Sequence, residues 1–177
     1  MKIDILLVCV GGQDVEPFKN FFTLFCKQKG FELFINYKKG FSKERCSETY
    51  SIRIGGGYGD ITQGKADAVI ALEQLEGVRY RRYVSEEGAM IMSSKRILPL
   101  SVLQGVAKYP ENAYQKCLND CFLIYPFDGA ENAYFPCLLA LRASKVEESD
   151  LFDFGKTTNL YTPEEVKRVF LTKPVRA

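Results

Sequence analysis

Three stretches of the chain bring together residue types able to bind a ligand. Gly11-Gly12-Gln13-Asp14 follows an apolar run, and paired glycines let main-chain amides approach an anion at the start of a helix, where the dipole favours negative charge. The turn matches neither G-x-G-x-x-G nor the phosphate-binding loop with its Lys and Ser or Thr. Asp14 can itself accept from the amides of the following helix, so a self-capped turn is favoured over a phosphate cradle. Gly55-Gly56-Gly57-Tyr58-Gly59-Asp60 offers a second run of amides, read first as a loop that needs positive φ and only second as a cradle. Arg79-Tyr80-Arg81-Arg82-Tyr83 interleaves cations with aromatics in the manner of a single-strand nucleic-acid contact. On a helix, however, Tyr80 and Tyr83 fall beside Leu75 and cover the core, while the arginines turn to solvent.

Reactive chemistry has little to work with. The chain has no histidine, so a nucleophile would lack its usual base. Glu86-Glu87 and Glu147-Glu148 sit in polar stretches and read as solvated surface. The six cysteines (Cys9, Cys26, Cys46, Cys117, Cys121 and Cys137) include no C-x-x-C, which argues against zinc or an iron–sulfur cluster in this chain. Cys117 and Cys121 share a helical face, and reduced packing thiols are favoured there over a redox pair. Lys plus Arg total 24 against 22 Asp plus Glu, a net charge of +2 that creates no field suited to nucleic acid or a membrane surface. No apolar run reaches the roughly 18 residues a membrane helix needs. MKIDILLVCV ends in glycines without a small-residue cleavage site, so it reads as a buried strand, and a cytoplasmic location is expected.

The elements that must position these residues alternate. Residues 3 to 10 are a strand covered on both faces. Val15, Phe18, Phe21, Phe22 and Phe25 follow at helical spacing, with Asp14 as N-cap, Pro17 in the first turn and Gly30 as the stop. Strands are expected over 31–37, 49–54, 68–72, 89–93 and 122–126, and helices over 75–84, 132–144 and from Thr162-Pro163-Glu164-Glu165 through Phe170. A break is expected at 155–159. The short span between Tyr37 and Thr49 allows a hairpin, so the sheet is expected to be mixed. Together these predict a three-layer α/β/α sandwich with a mainly parallel or mixed sheet, formed by residues 1–177 as one domain.

Several segments resemble the gamma family of 2-oxoacid:ferredoxin oxidoreductases and, more narrowly, the small indolepyruvate-type beta subunit. Ile5 to Gln13 is similar to the family's strand running into G-x-G-G-Q-G. Gly40-Phe41-Ser42 through Ser51-Ile52-Arg53-Ile54-Gly55 is similar to G-M-[SA]-Q-R-G-G-S and a strand ending V-R-x-G. Gly64-Lys65-Ala66-Asp67-Ala68-Val69-Ile70-Ala71-Leu72-Glu73-Gln74-Leu75-Glu76 is the most specific match, to G-x-A-D-x-[LI]-[LI]-x-[LF]-E-x-[LM]-E. Ser101-Val102-Leu103, Tyr109-Pro110 and Gly129 to Lys145 extend it.

The resemblance implies an accessory component of an enzyme that decarboxylates a 2-oxoacid on thiamine diphosphate, passes electrons through iron–sulfur clusters to ferredoxin and forms an acyl-CoA. Thiamine diphosphate and the clusters are then expected in partner subunits, with coenzyme A as the one ligand this chain helps to hold and a homodimer left open. Gly11, Gly12, Gln13, Ser42, Ser47 and Arg53 are the ligand-facing residues it implies. Cys9 and Asp14 replace the outer glycines of the turn, and Lys43-Glu44-Arg45-Cys46 stands where Gln-Arg-Gly-Gly is usual. The alternative is a repurposed, non-catalytic binding or scaffold module of the same fold.

Overall fold

The computed structural model describes residues 1–40, 46–119, 123–129 and 132–176. Among the described residues, seven strands form one mixed sheet in the order β2-β3-β1-β4-β5-β6-β7. β1 (Ile3–Val10), β4 (Ala66–Ala71), β5 (Val84–Ser93) and β6 (Leu123–Phe127) run parallel to one another. β2 (Leu33–Lys39) and β3 (Ser47–Ile54) form the antiparallel pair on one side, and β7 (Val175–Arg176) closes the other. The expected mixed sheet and layered α/β fold are borne out. β3 pairs antiparallel with both β1 and β2, which is how the sheet becomes mixed.

Alternation along β1 explains the layers. Ile3, Ile5, Leu7 and Cys9 enter one core with α1 (Glu16–Lys29), α5 (Tyr134–Ala143), α6 (Glu148–Thr158) and α7 (Pro163–Leu171). Leu6 and Val8 face the opposite core, which α2 (Gln74–Tyr80) and α4 (Ala113–Leu118) help cover. In α1 the buried face is Phe18, Phe21, Phe22 and Phe25, and left-handed Gly30 ends the helix, as the spacing predicts. Every residue from Phe135 to Leu141 is buried, because α5 lies against β4 and β5 on one side and α7 on the other. Arg142 Nη1 donates to the carbonyls of Val169 and Thr172, which satisfies the end of α7 from a neighbouring helix.

Several elements depart from the sequence expectation. α3 (Leu100–Leu103), α4 and β7 were not among the expected elements, and the helix expected over 75–84 gives way after Tyr80 to a 3-10 turn over Arg81–Tyr83. The stretch around 155–159 is not a break: α6 runs through Gly155, where a Cβ would stand 2.6 Å from the Tyr161 ring, and ends at left-handed Asn159. β5 starts at Val84 rather than Ala89, because a bulge shifts its register between Ala66 and Ala68 of β4. Gly88 makes that bulge possible, since a Cβ there would lie 2.7 Å from Ala66 O and 2.8 Å from Asp67 O. The Arg79–Tyr83 stretch matches its packing reading: Tyr80 and Tyr83 pack against the second core with ring centroids 5.3 Å apart.

Phe21 sits at the hub of an aromatic cluster, 5.4 Å from the rings of Phe22 and Phe154, 6.0 Å from Tyr134 and 6.3 Å from Tyr161. Phe21→Ala is therefore expected to cost about 3–5 kcal/mol in chemical denaturation, because the surrounding helices cannot collapse into the space. Thr162→Ala, which removes one side of the capping box with Glu165, is expected to cost only about 1 kcal/mol.

Candidate functional site at the carboxyl end of the sheet

Chain direction decides where a recess can form. α1 leaves β1 toward one face of the sheet, and α2 leaves β4 toward the other. Between the diverging chains the carboxyl ends of the parallel strands are left uncovered, the usual place for a ligand in an open α/β sheet. There the surface carries a recess of about 490 Å³, floored by Val10, Leu72, Ser93 and Phe127 at the ends of all four parallel strands. Gly11 to Asp14 and Pro17 form one wall, and Lys95, Ile97, Gly129 and Ala133 stand across from them.

The floor is fixed by side chains placed where β1 and β4 part. Gln13 Oε1 accepts from Val10 N at 2.9 Å, and its Nε2 donates to Leu72 O at 3.0 Å, so one amide staples the two strand ends together. Glu73 is fully buried. Its Oε2 accepts from Glu76 N at 3.0 Å, capping α2, while Oε1 accepts from Ile97 N at 3.2 Å and from the Tyr109 hydroxyl. Gln74 Nε2 donates to Ser94 O at 2.9 Å, and its Oε1 accepts from Arg96 Nε at 3.1 Å. Leu72-Glu73-Gln74 thus ties the exit of β4 to the loop after β5, which is where Lys95 and Ile97 are carried.

The amides around the recess are largely spent. Gly11 N donates to Cys46 O at 2.8 Å and Gln13 N to Val10 O at 3.1 Å. Asp14 Oδ1 accepts from Glu16 N at 3.0 Å, so Asp14 answers the first-turn amide of α1 although Val15 occupies the N-cap position, and Pro17 supplies no donor. At the start of α5, Asn132 Oδ1 accepts from Tyr134 N and Phe135 N, and Pro136 again has none to give. Gly12, at φ 93° with nothing within 4 Å of its Cβ position, remains the open point of the turn. Lys95, exposed, supplies a positive charge to the lining.

Of the residues the sequence singles out, Gly11, Gly12 and Gln13 line this recess. Ser47 pairs with Val10 in the sheet but lies outside it, its hydroxyl accepting from Arg79 Nη1 at 3.1 Å. Arg79 also pairs with the buried Glu76, whose carboxyl is pushed up by burial against the opposing help of Ser47 and Arg79. Arg53 stands at the far end of β3, opposite Asp4, on the order of 20 Å along the strand from Ser47. There it pairs with Asp4 at 3.1 Å and donates to Gly59 O and Asp60 O, so it anchors the Gly55–Asp60 loop and does not join the recess. Ser42 lies outside the described residues, as do Lys43, Glu44, Arg45 and Cys121. The opposite wall, made by Ser93, Lys95, Ile97, Gly129 and Ala133, was not singled out for ligand contact in the sequence; its signal was position just beyond strands of a parallel sheet.

Cys9, Cys26, Cys46, Cys117 and Cys137 are buried and form no disulfide among the described residues. Burial pushes the Cys9 thiol to about 12, with nearby Glu48 adding to it, and pushes Cys26 to about 11. Among the described residues, no group of three or more Cys, Asp or Glu side chains is placed to hold a metal, and no helix is long and apolar enough to cross a membrane.

No family model matches the chain. Its curated relatives include indolepyruvate oxidoreductase subunits IorB. That of Archaeoglobus fulgidus is 31% identical over 112 residues, 63% of this chain and 56% of its own length. The chain thus spans little more than half of that relative. The Pyrococcus horikoshii subunit is 26% identical over 183 residues, with 99% of this chain and 89% of the relative covered. Among solved structures, pyruvate oxidoreductase subunit PORC from Thermotoga maritima matches with a TM-score of 0.54 at 13% identity, over 95% of this chain and 90% of that one. The gamma subunit of a keto/oxoacid ferredoxin oxidoreductase from Geobacter sulfurreducens matches at 0.50 and 13% identity, over 96% and 93%. The resemblance read from the motifs is borne out in sequence by the IorB subunits, and the fold is shared with the gamma-type subunits.

Two outcomes test this arrangement. Glu73→Ala strands the Ile97 amide, the Tyr109 hydroxyl and the α2 cap, and is expected to cost about 3 kcal/mol or more and to make the 94–97 loop sensitive to protease. The raised thiols lend stability that is complete below the ordinary value of 9.0 and is lost as pH climbs toward about 11 and 12. Alkylation at pH 8 followed by mass spectrometry should accordingly find Cys9 and Cys26 unmodified in the folded chain, and modified once denaturant is added.

Proposed function

We propose that this chain is the accessory component of an indolepyruvate-type 2-oxoacid:ferredoxin oxidoreductase, supporting oxidative decarboxylation of a 2-oxoacid to an acyl-CoA. Thiamine diphosphate and the iron–sulfur clusters belong, in this reading, to partner subunits, and ferredoxin meets the complex through them. The observation that carries it is the similarity to an IorB subunit over 99% of the chain. The position of the Gly64–Glu76 segment supports it too, because Leu72, Glu73 and Gln74 build the carboxyl end of the sheet.

Within that reading the recess is first a docking surface and second a contact for coenzyme A. Asp14 and Asn132 already fill the helix starts that would otherwise cradle a diphosphate. Of the turn residues proposed to face the ligand, Gly11 and Gln13 shape the wall while Gly12 is open to it. Any coenzyme contact then falls to Gly12 and to Lys95 as a single cation on phosphate.

The test is recovery of the complex. Tagged full-length chain expressed from its native gene cluster is expected to bring down a thiamine- and cluster-bearing subunit in stoichiometric amount, and its isolation without one sinks the proposal. In the recovered complex, Lys95→Glu is expected to raise KM for coenzyme A roughly tenfold with kcat little changed, the pattern of a lost binding contact. An unchanged KM would confine the chain to docking.

A further inference from the structure

Among the described residues β2 ends the sheet, and one row of its main-chain groups has no described strand beside it. Which row follows from hydrogen-bond parity. Gly55 N donates to Glu32 O, and Gly40 N donates to Ser47 O, each at 2.9 Å. Bonding alternates along an antiparallel pair, so Phe34, Asn36 and Lys38 also turn their main-chain groups toward β3. Leu33, Ile35, Tyr37 and Lys39 present theirs outward.

That outward row is self-complementary. Antiparallel pairing with an identical strand about a two-fold axis at Ile35 sets Ile35 against Ile35, and Leu33 against Tyr37 on both sides of the axis. These side chains share the sheet face covered by α1, where Leu33 and Ile35 already pack against the core and Tyr37 is 49% exposed. The same register places Glu32 opposite Lys38, twice, with both residues exposed. Moving the axis by one residue, to Phe34 or Asn36, takes the charges out of opposition. Lys38 already has an ion pair in its own chain, 3.6 Å from Asp60, with its side chain 71% exposed, so in a dimer Glu32 of the second copy shares that ammonium.

Both faces beside the strand have room for a neighbour. On the α1 side a groove of about 410 Å³ lies between Ile35, Tyr37 and Tyr50 and the helix residues Lys19, Asn20 and Thr23. On the other side Tyr58, 80% exposed, stands with its ring 5.2 Å from Phe34 over a hollow of about 330 Å³.

We propose that β2 is a homodimerisation edge, pairing antiparallel with β2 of a second copy about Ile35 through Glu32–Lys38 charge pairs to continue the sheet across both chains. Unlike the proposed function, this rests on the geometry of β2 alone, so either can fail without the other. The lysines at the strand end would ordinarily discourage edge pairing; a partner that brings Glu32 opposite Lys38 converts that repulsion into attraction.

Sedimentation velocity of the full chain is expected to show a species of twice the 20.1 kDa chain mass. Glu32→Lys and Lys38→Glu, singly, are each expected to weaken the dimer on the order of tenfold, and the two together to restore it. Ile35→Pro removes an outward amide at the axis and is expected to give a monomer whose circular dichroism spectrum is that of the parent. Should that variant misfold, the charge exchange still decides the matter. A chain that stays monomeric up to its solubility limit overturns the proposal, and so does a dimer that neither charge reversal weakens.

Discussion

A carboxylate without solvent contact holds the working end of this molecule together. Stripping a charge of water costs several kcal/mol unless hydrogen bonds replace the lost hydration. Glu73 regains it from the amide of Glu76, the amide of Ile97 and the hydroxyl of Tyr109. Each donor comes from a different piece of structure: the first turn of α2, the loop leaving β5 and the excursion that follows it. One residue therefore determines where three segments meet, and every one of them can meet only if β4 ends at Ala71. Gln13 adds the fourth by binding the end of β1 to Leu72.

This arrangement limits what the recess can recognise. A sheet with diverging crossover helices commonly offers free amides to an anion, yet here the chain satisfies its own donors. Asp14, Pro17, Asn132 and Pro136 act alike at two helix starts, by occupying donors or by lacking them. In the proposed reading, charge recognition passes from the backbone to a side chain, Lys95, whose loop depends on Glu73 and Gln74. A flexible cation gives a weaker geometric definition of a phosphate than a ring of amides does. That fits the proposed reading of the recess as a surface that another polypeptide completes.

Much of this was legible from residue pattern, and the failures have physical reasons. β1, β4 and α5 are covered on two sides and α1 on one, so each carries an unbroken apolar face and appears where the periodicity places it. α6 was missed because Gly155 and the Lys-Thr-Thr that follows look like a breaker; the glycine is there to admit the Tyr161 ring. β5 was shortened because Ser85, Glu86 and Glu87 are polar, and a bulge is invisible to a pattern with period two. Half of the recess was found through its glycines. The other half comes from residues more than 80 positions downstream, brought alongside by strand order, and no local pattern encodes that. Arg53 came from the resemblance alone, and an extended strand carries it and Ser47 to opposite ends of the sheet.

The same topology separates two kinds of surface. Because β3 and β2 are added antiparallel beyond β1, the long edge of the sheet lies two strands away from the split between β1 and β4. The recess faces along the strands, and the edge faces across them. Contacts at one direction leave the other free, so a chain joined to a copy of itself through β2 still presents a recess from each copy. Arg53 and Asp4 reinforce this division by tying β3 to β1 at the end remote from the recess, which stiffens the base on which β2 sits. A half-buried ion pair of that kind adds little net stability compared with apolar packing, but it favours the register that sets Asp4 opposite Arg53. Register is what an edge needs if Glu32 and Lys38 are to fall opposite their counterparts in a second chain.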